Sequence, residues 1–178
     1  MRNNSKDLRK FYKICSHCSI KRADTQFSKC LQHIFGRSRM ITFNNTKTLL
    51  ELVKNIGKEF ENNVFLRYER DDTIFEKGYG TFSMDTMSVA VYIEGQNKKA
   101  GHKIHAAVLG KCSYEYLTVL LGVPCGGGVS IPMDVKLTAQ KMAENLKKAD
   151  TDILFYDYSF SSQADELREL CPFIKRFI

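Results

Sequence analysis

The sequence predicts an α/β fold: a β-α-β-α-β unit with largely parallel strands, preceded by a helix and a β-hairpin. Three observations carry this. Between Lys103 and Phe155, short apolar runs alternate with helix-period segments, and strands joined through helices pair in parallel because each crossover returns the chain to the same end of the sheet. Upstream, Leu49, Leu50, Leu52, Val53, Ile56 and Phe60 recur at helical spacings, so one face is apolar. Between these regions, two strand-like runs flank the turn-forming pair Asp71-Asp72, the pattern of a hairpin.

Taken in order, Thr48 to Phe60 reads as an amphipathic helix with Thr46 or Thr48 as its cap. Val64 to Tyr68 and Thr73 to Lys77 form the hairpin. Phe82 to Glu94 follows as a second helix burying Val89, Val91 and Ile93, with Gly95 and Gly101 punctuating its end. Strands are expected at Ile104 to Leu109, Val129 to Ile131 and Ile153 to Phe155, and helices at Ser113 to Leu121 and Leu137 to Lys148. A last helix around Gln163 to Leu170 leads into a strand-like tail, Phe173 to Ile178. That tail stops in mid-pattern, and an apolar terminal strand without a neighbour leaves an exposed edge, so the chain is expected to be truncated. In such a parallel unit the strand ends carry any site the complete fold would use.

With 178 residues and 43% hydrophobic content, the chain is long enough to bury one full core. It contains no apolar run of the roughly 18 residues a membrane span needs, and its basic start lacks the apolar stretch of a secretory signal. A cytoplasmic chain is the expectation, with its cysteines reduced and Cys112, Cys125 and Cys171 serving as small buried apolar residues. There is no internal repeat and no low-complexity segment.

The formal charge of +7 is unevenly placed: residues 1 to 39 carry ten Lys/Arg against two Asp, and the remaining 139 carry 17 against 18 Asp/Glu. Basicity belongs to the leader, so a polyanion partner would have to be a partner of that segment, and nucleic acid binding is not expected of the globular part. Two domains follow: 1-39, a basic Cys/His-containing leader without sustained periodicity and a candidate for disorder, and 40-178, an incomplete α/β domain. The stretch around Gly36 to Asn45 is the candidate linker.

Within the leader, Cys15, Cys18, Cys30 and His33 form C-x2-C-x11-C-x2-H, a spacing able to place four ligands tetrahedrally around Zn2+. Residues Lys13 to Phe27 are similar to the start of small zinc-ribbon modules found with nucleases, although the second half-site is poorly matched. The competing reading is a segment upstream of Met40 whose cysteines bind nothing, and no metal ligand is assigned. His17, His102 and His105 are read as satisfied surface or core histidines.

Four stretches carry a family resemblance: VFLRYERDDTIFEKGYGTF, AGHKIHAAVLGKCSYEYL, GVPCGGGVSIPMDVKLTAQKMAENLKKADTDILFYD and ELCPFIKRFI. The second is similar to "G-D-x-V-A-I-L-(G)-x-N-S-x-E-Y". The third is similar to "A-x-x-A-G-G-V-x-V-P-L-D" continuing into "L-x-x-x-L-x-x-S-x-A-K-x-L-x-x-D". From about Thr48 to Ile178 the chain resembles the N-terminal portion of the AMP-forming (adenylate-forming) acyl-CoA synthetase and ligase superfamily, truncated before the ATP-binding motifs. The resemblance implies the N-terminal subdomain of an adenylate-forming ligase. In the full-length family such an AMP-binding enzyme activates a fatty acid or other carboxylate with ATP and Mg2+ and passes it to CoA, a step of fatty acid metabolism. His102 stands where the pattern has Asp, Cys112 where it has Asn, and Pro124 where the helix normally runs through a small residue. Proline inside a helix removes a hydrogen bond at about 3 kcal/mol, so that helix is expected to end at Val123 or earlier.

The family's phosphate loop ending in Pro-Lys-Gly, its Tyr/Thr-Glu pair, its ribose-binding Asp and its catalytic Lys do not occur in the sequence. No catalytic, cofactor-binding or metal residue is therefore assigned, no cofactor is expected to bind this chain, and it is expected not to adenylate a carboxylate. Gly126 to Gly128 lie after a helix and before a strand, the reverse of the strand-loop-helix order a phosphate loop needs. Gly110-Lys111-Cys112-Ser113 has the right context for such a loop, but His105 and Cys112 occupy positions that need Gly and Ser/Thr; an exposed turn with a solvated lysine is the plainer reading. The carboxylate pairs Asp71-Asp72 and Asp165-Glu166 are read as solvated surface. Besides the ligase fragment, two alternatives stand: a non-enzymatic zinc- or nucleic-acid-binding protein acting through its leader, and a decayed remnant.

Overall fold

A computed structural model describes residues 46–70 and 72–178. Helix α1 spans Leu49–Glu59 and is capped by Thr48, whose hydroxyl accepts from the Glu51 amide at 3.1 Å. The Glu51 carboxylate in turn accepts from the amide of Lys47, the residue before the cap, at 2.8 Å, which ties the incoming chain to the first turn. Strands β1 (Val64–Arg70) and β2 (Thr73–Gly78) pair antiparallel, with Tyr68 opposite Phe75 in a stacked cross-strand pair. The turn between them places Asp72 at φ +56°, a left-handed conformation Asp tolerates.

Helix α2 spans Tyr79–Ala100, longer at both ends than the expected Phe82 to Glu94. Its first amides find acceptors in the loop before β1: Tyr79 N donates to Asn63 O at 3.0 Å and Gly80 N to Glu61 O at 3.2 Å. Gly95 does not end it; a helical glycine costs only about 1 kcal/mol. The stop comes at Gly101, whose φ of +74° lets its amide bond Asn97 O at 2.9 Å. Phe82, Thr86, Ala90 and Ile93 form its buried face, whereas Val91 is 64% exposed on the opposite side, against expectation.

Beyond α2 the chain alternates β3 (His105–Leu109), α3 (Tyr114–Cys125), β4 (Val129–Pro132), α4 (Ala139–Lys148), β5 (Ile153–Tyr156), a 3₁₀ turn at Tyr158–Phe160, α5 (Ser161–Leu170) and β6 (Arg176–Phe177). The four strands form one parallel sheet in the order β4-β3-β5-β6. Strand residues alternate between two cores. Ala106 and Ile153 pack with Ile93, Ile104 and Val123 under α2 and α3, while Ala107, Leu109 and Leu154 pack with Met142, Leu146 and Leu167 under α4 and α5. The sheet is thus sandwiched between helices, as near-continuous apolar strands require.

Helix α3 continues through Pro124 to Cys125 instead of ending at Val123 or earlier. A proline lacks the amide that would bond the carbonyl four residues back; here that acceptor is Leu120 O, and the Ser130 hydroxyl donates to it at 2.7 Å. A strand residue supplies the donor that the helix lost. Two of the three cysteines expected to be buried are so, Cys125 and Cys171, and burial pushes both thiols above their ordinary range. Cys112 is exposed, because it lies in the loop between β3 and α3 and not on a packed face.

Candidate functional site

The strand order contains one reversal. From β3 the chain crosses through α3 on one face to β4, then returns through α4 on the other face, over β3, to β5. The loops leaving the carboxyl ends of β3 and β5 therefore diverge, and the crevice between them is where open α/β sheets hold ligands. A cleft of about 350 Å³ lies there, walled by Lys111, Ser113, Tyr116, Phe155, Asp157 and Tyr158.

Each wall has a local cause. Ser113 caps α3, its hydroxyl accepting from the Tyr116 amide at 3.1 Å. Asp157 caps the 3₁₀ turn, accepting from the amide and hydroxyl of Ser159 at 2.8 and 2.6 Å. Its own amide donates to Leu109 O at 2.9 Å and keeps the two loops together. Gly110 permits this closeness: a Cβ there would stand 3.2 Å from the Asp157 Cβ. Burial, then the nearby Cys112, raises the Tyr116 hydroxyl above its ordinary range, so it stays a neutral donor. Lys111 and Cys112 are exposed beside the cleft. The cleft offers one cation, the carboxylates of Glu115 and Asp157, and aromatic walls. Neither described histidine belongs to it, so no nucleophile is paired with an imidazole base there.

Those histidines sit at the opposite end of the sheet, around Asp152. Its carboxylate accepts from His102 Nε2 at 3.1 Å, the His105 amide at 3.1 Å and Lys175 Nζ at 2.9 Å. Burial alone raises this carboxyl; the bonds from Lys175, the His105 amide and His102 outweigh it and hold it below the ordinary carboxylate range. His105 Nδ1 lies 2.6 Å from Ala149 O. This cluster ties the starts of β3 and β5 to the residue preceding β6. The pattern quoted above has Asp at 102 and Lys at 152; in this chain His102 and Asp152 stand there and meet.

Gly126 to Gly128 do not suit a nucleotide. Gly127 takes φ +78°, its amide bonds Pro124 O at 3.0 Å, and Gly128 N bonds Val123 O at 3.0 Å, the paired bonds of a Schellman cap. Gly126 N is likewise committed to Gly122 O and Val123 O. All three amides are consumed by the helix end and none faces a phosphate. Bare close approach explains the glycines: a Cβ on Gly126 would overlap the Ala90 carbonyl and one on Gly128 would stand 2.9 Å from Ile104 O. The residues therefore do not fit the ATP phosphates, and no group of three potential metal ligands occurs among the described residues.

Cys15, Cys18, Cys30, His33, His17 and Asp71 lie outside the described residues. Asp165, read as solvated, is exposed and pairs with Arg168 at 2.7 Å. Sequence reasoning placed a site at the strand ends but did not name Tyr116, Asp157 or Tyr158. The signal available was the apolar-to-polar change where each strand ends, at Leu109-Gly110 and Tyr156-Asp157.

No helix of the described residues is long and apolar enough to cross a membrane. No protein-family model matches the chain, and no curated protein does. Among solved structures, the chain is similar to the N-terminal domain of FACL13 from Mycobacterium tuberculosis, with a TM-score of 0.61 and 16% identity over 74% of this chain and 33% of that one. It is similar to the anthranilate CoA ligase AuaEII in complex with anthranoyl-AMP, with a TM-score of 0.59 and 16% identity over 73% of this chain and 24% of that one. The A-PCP didomain of carboxylic acid reductase from Segniliparus rugosus matches with a TM-score of 0.61 and 11% identity, over 73% and 20% respectively. The chain spans a third or less of the length of these proteins. Its described residues have the fold of the N-terminal subdomain of adenylate-forming acyl-CoA ligases.

Proposed function

We propose that this chain is built as the N-terminal α/β subdomain of an AMP-forming acid–thiol ligase and does not adenylate a carboxylate by itself. The observation that carries the second half is the glycine turn, whose three amides are bonded to the end of α3. In the ligase, ATP phosphates would need a cradle of free backbone amides and a cation to stabilise charge developing during adenylation. Gly126 to Gly128 do not provide that cradle, and the Lys111 loop departs from the phosphate-loop motif at His105 and Cys112. The described residues would serve as a scaffold: the sheet fixes the strand-end cleft, and α2 and α3 brace it. The substrate class of the complete ligase is a carboxylate such as a fatty acid, with ATP, Mg2+ and CoA as co-reactants held by elements other than those described.

The test is pyrophosphate release by the purified 178-residue chain with ATP, Mg2+ and mixed fatty acids. No release above the protein-free rate is expected. Saturable turnover that disappears when the fatty acid is omitted would overturn the proposal.

A further inference from the structure

Several exposed cations are answered by a carboxylate on their own helix or hairpin: Lys98 by Glu94, Lys141 by Glu144, Arg67 by Glu76 and Arg168 by Asp165. Lys99 and Arg176 make no ion pair with any carboxylate of the described residues. They come from α2 and β6, far apart in sequence, yet they line one groove of about 400 Å³ together with Gln96, Asp152 and Lys175. The groove runs between the end of α2 and the starts of β5 and β6, at the opposite end of the sheet from the cleft. Its excess of positive charge is local, since residues 40 to 178 carry 17 Lys/Arg against 18 Asp/Glu. Like charges gathered on a near-neutral domain repel one another unless an anion meets them.

We infer that this groove binds the phosphate group of a phosphate monoester. The one carboxylate in its lining, Asp152, is already committed: it accepts from His102, the His105 amide and Lys175, so Lys99 and Arg176 keep their charge uncompensated. Arg176 is held in place, its Nη1 donating to the Tyr92 hydroxyl at 3.1 Å while the Tyr92 ring meets Phe155 edge-on. That leaves the Nε–Nη2 edge of the guanidinium, the fork that takes two oxygens of an oxyanion. Such a fork uses both oxygens of a carboxylate, whereas a phosphate has a further oxygen for the Lys99 ammonium and the Gln96 amide. The Lys175 ammonium spends one of its three hydrogens on Asp152 and has others to offer. Two uncompensated cations match the charge of a dianionic monoester, whether it belongs to a soluble metabolite or to a lipid headgroup.

Titration of the isotope-labelled full chain with inorganic phosphate at constant ionic strength, followed by NMR, should give saturable shifts at the Gln96 side-chain amide, the Lys99 amide and the Arg176 Nε. The dissociation constant should be about 1 mM, the strength of a few charge-assisted hydrogen bonds at an open groove. Lys99→Gln and Arg176→Gln should each weaken binding about fivefold or more, and Lys136→Gln, beyond the carboxyl end of β4, should leave it unchanged. Both groove side chains are exposed, so the circular dichroism spectrum of each variant should match that of the parent. Co-sedimentation with phosphatidylcholine vesicles separates the two sources. Capture only when phosphatidic acid is included, lost in Arg176→Gln, assigns a lipid headgroup; no capture alongside saturable phosphate binding assigns a soluble monoester. Shifts that never saturate, that spread evenly over the exposed lysines, that acetate matches at equal concentration, or that persist unchanged in both groove variants overturn the inference. None of these readouts involves adenylation, so the ligase role and the phosphate site fail separately.

Discussion

Ser130→Ala removes the hydroxyl that donates to Leu120 O at 2.7 Å. Pro124 has no amide to offer that carbonyl, so the substitution leaves a half-buried acceptor without its donor. A fully buried unsatisfied acceptor costs about 1–3 kcal/mol; both residues are half-buried here, which puts the loss at about 1 kcal/mol. For a domain of this size that is a drop in melting temperature of about 3–5 °C. The informative measurement is a double-mutant cycle by urea denaturation. Pro124→Ala restores an amide four residues after Leu120, so in that background Ser130→Ala should cost only about 0.3 kcal/mol, giving a coupling near 0.7 kcal/mol. Equal costs in both backgrounds would refute the compensation, and the Ser130 bond would then be incidental to the persistence of the helix through Pro124.

Gly126→Ala should be far more damaging than Gly95→Ala, because the first forces α3 away from the Ala90 carbonyl of α2 and the second meets open space. The former is expected to lose about 3 kcal/mol or more, as overpacking against backbone does, and the latter to be neutral or stabilising by up to about 1 kcal/mol. Thermal melts of the two variants decide the order. Gly127→Ala should cost about 1 kcal/mol from its positive φ alone, and Gly127→Asn less, since Asn tolerates the left-handed region. Asp152 gives an acid-side dependence. Its carboxyl is held below the unfolded value, so its contribution is fully present above about pH 4 and is lost as the pH falls through the folded value. Asp152→Asn should lower stability at neutral pH and flatten that acid limb in denaturant titrations between about pH 5 and pH 2; an unchanged limb would show that Asp152 does not govern it.

Two of the departures from the family pattern look different once packing is known. Pro124 is accommodated by a hydroxyl from the next strand, and His102 meets an acid at the position where the pattern has a lysine. Among the described buried side chains, Thr86 Oγ1 and Thr151 Oγ1 lack a partner, and Thr151 stands where the quoted pattern has Ala.

The order of elements was legible in the amino-acid sequence because it depends on local periodicity: the helix at Thr48, the hairpin about Asp71-Asp72 and the alternating strands and helices from Lys103 onward all follow from which residues are apolar and how they are spaced. The turn role of the three glycines was legible for the same reason, since their place after a helix and before a strand is a matter of sequence order. Tertiary structure decided the rest. Helix lengths at Tyr79 and Pro124 depend on acceptors and donors supplied by Asn63, Glu61 and Ser130 from other elements. The strand order, and with it the position of the cleft, depends on which face each crossover takes, which no local pattern encodes. Val91 shows the limit most directly: its apolarity marked it for burial, but burial is a property of the neighbours a residue meets, and among the described residues it is left 64% exposed on the outer side of α2.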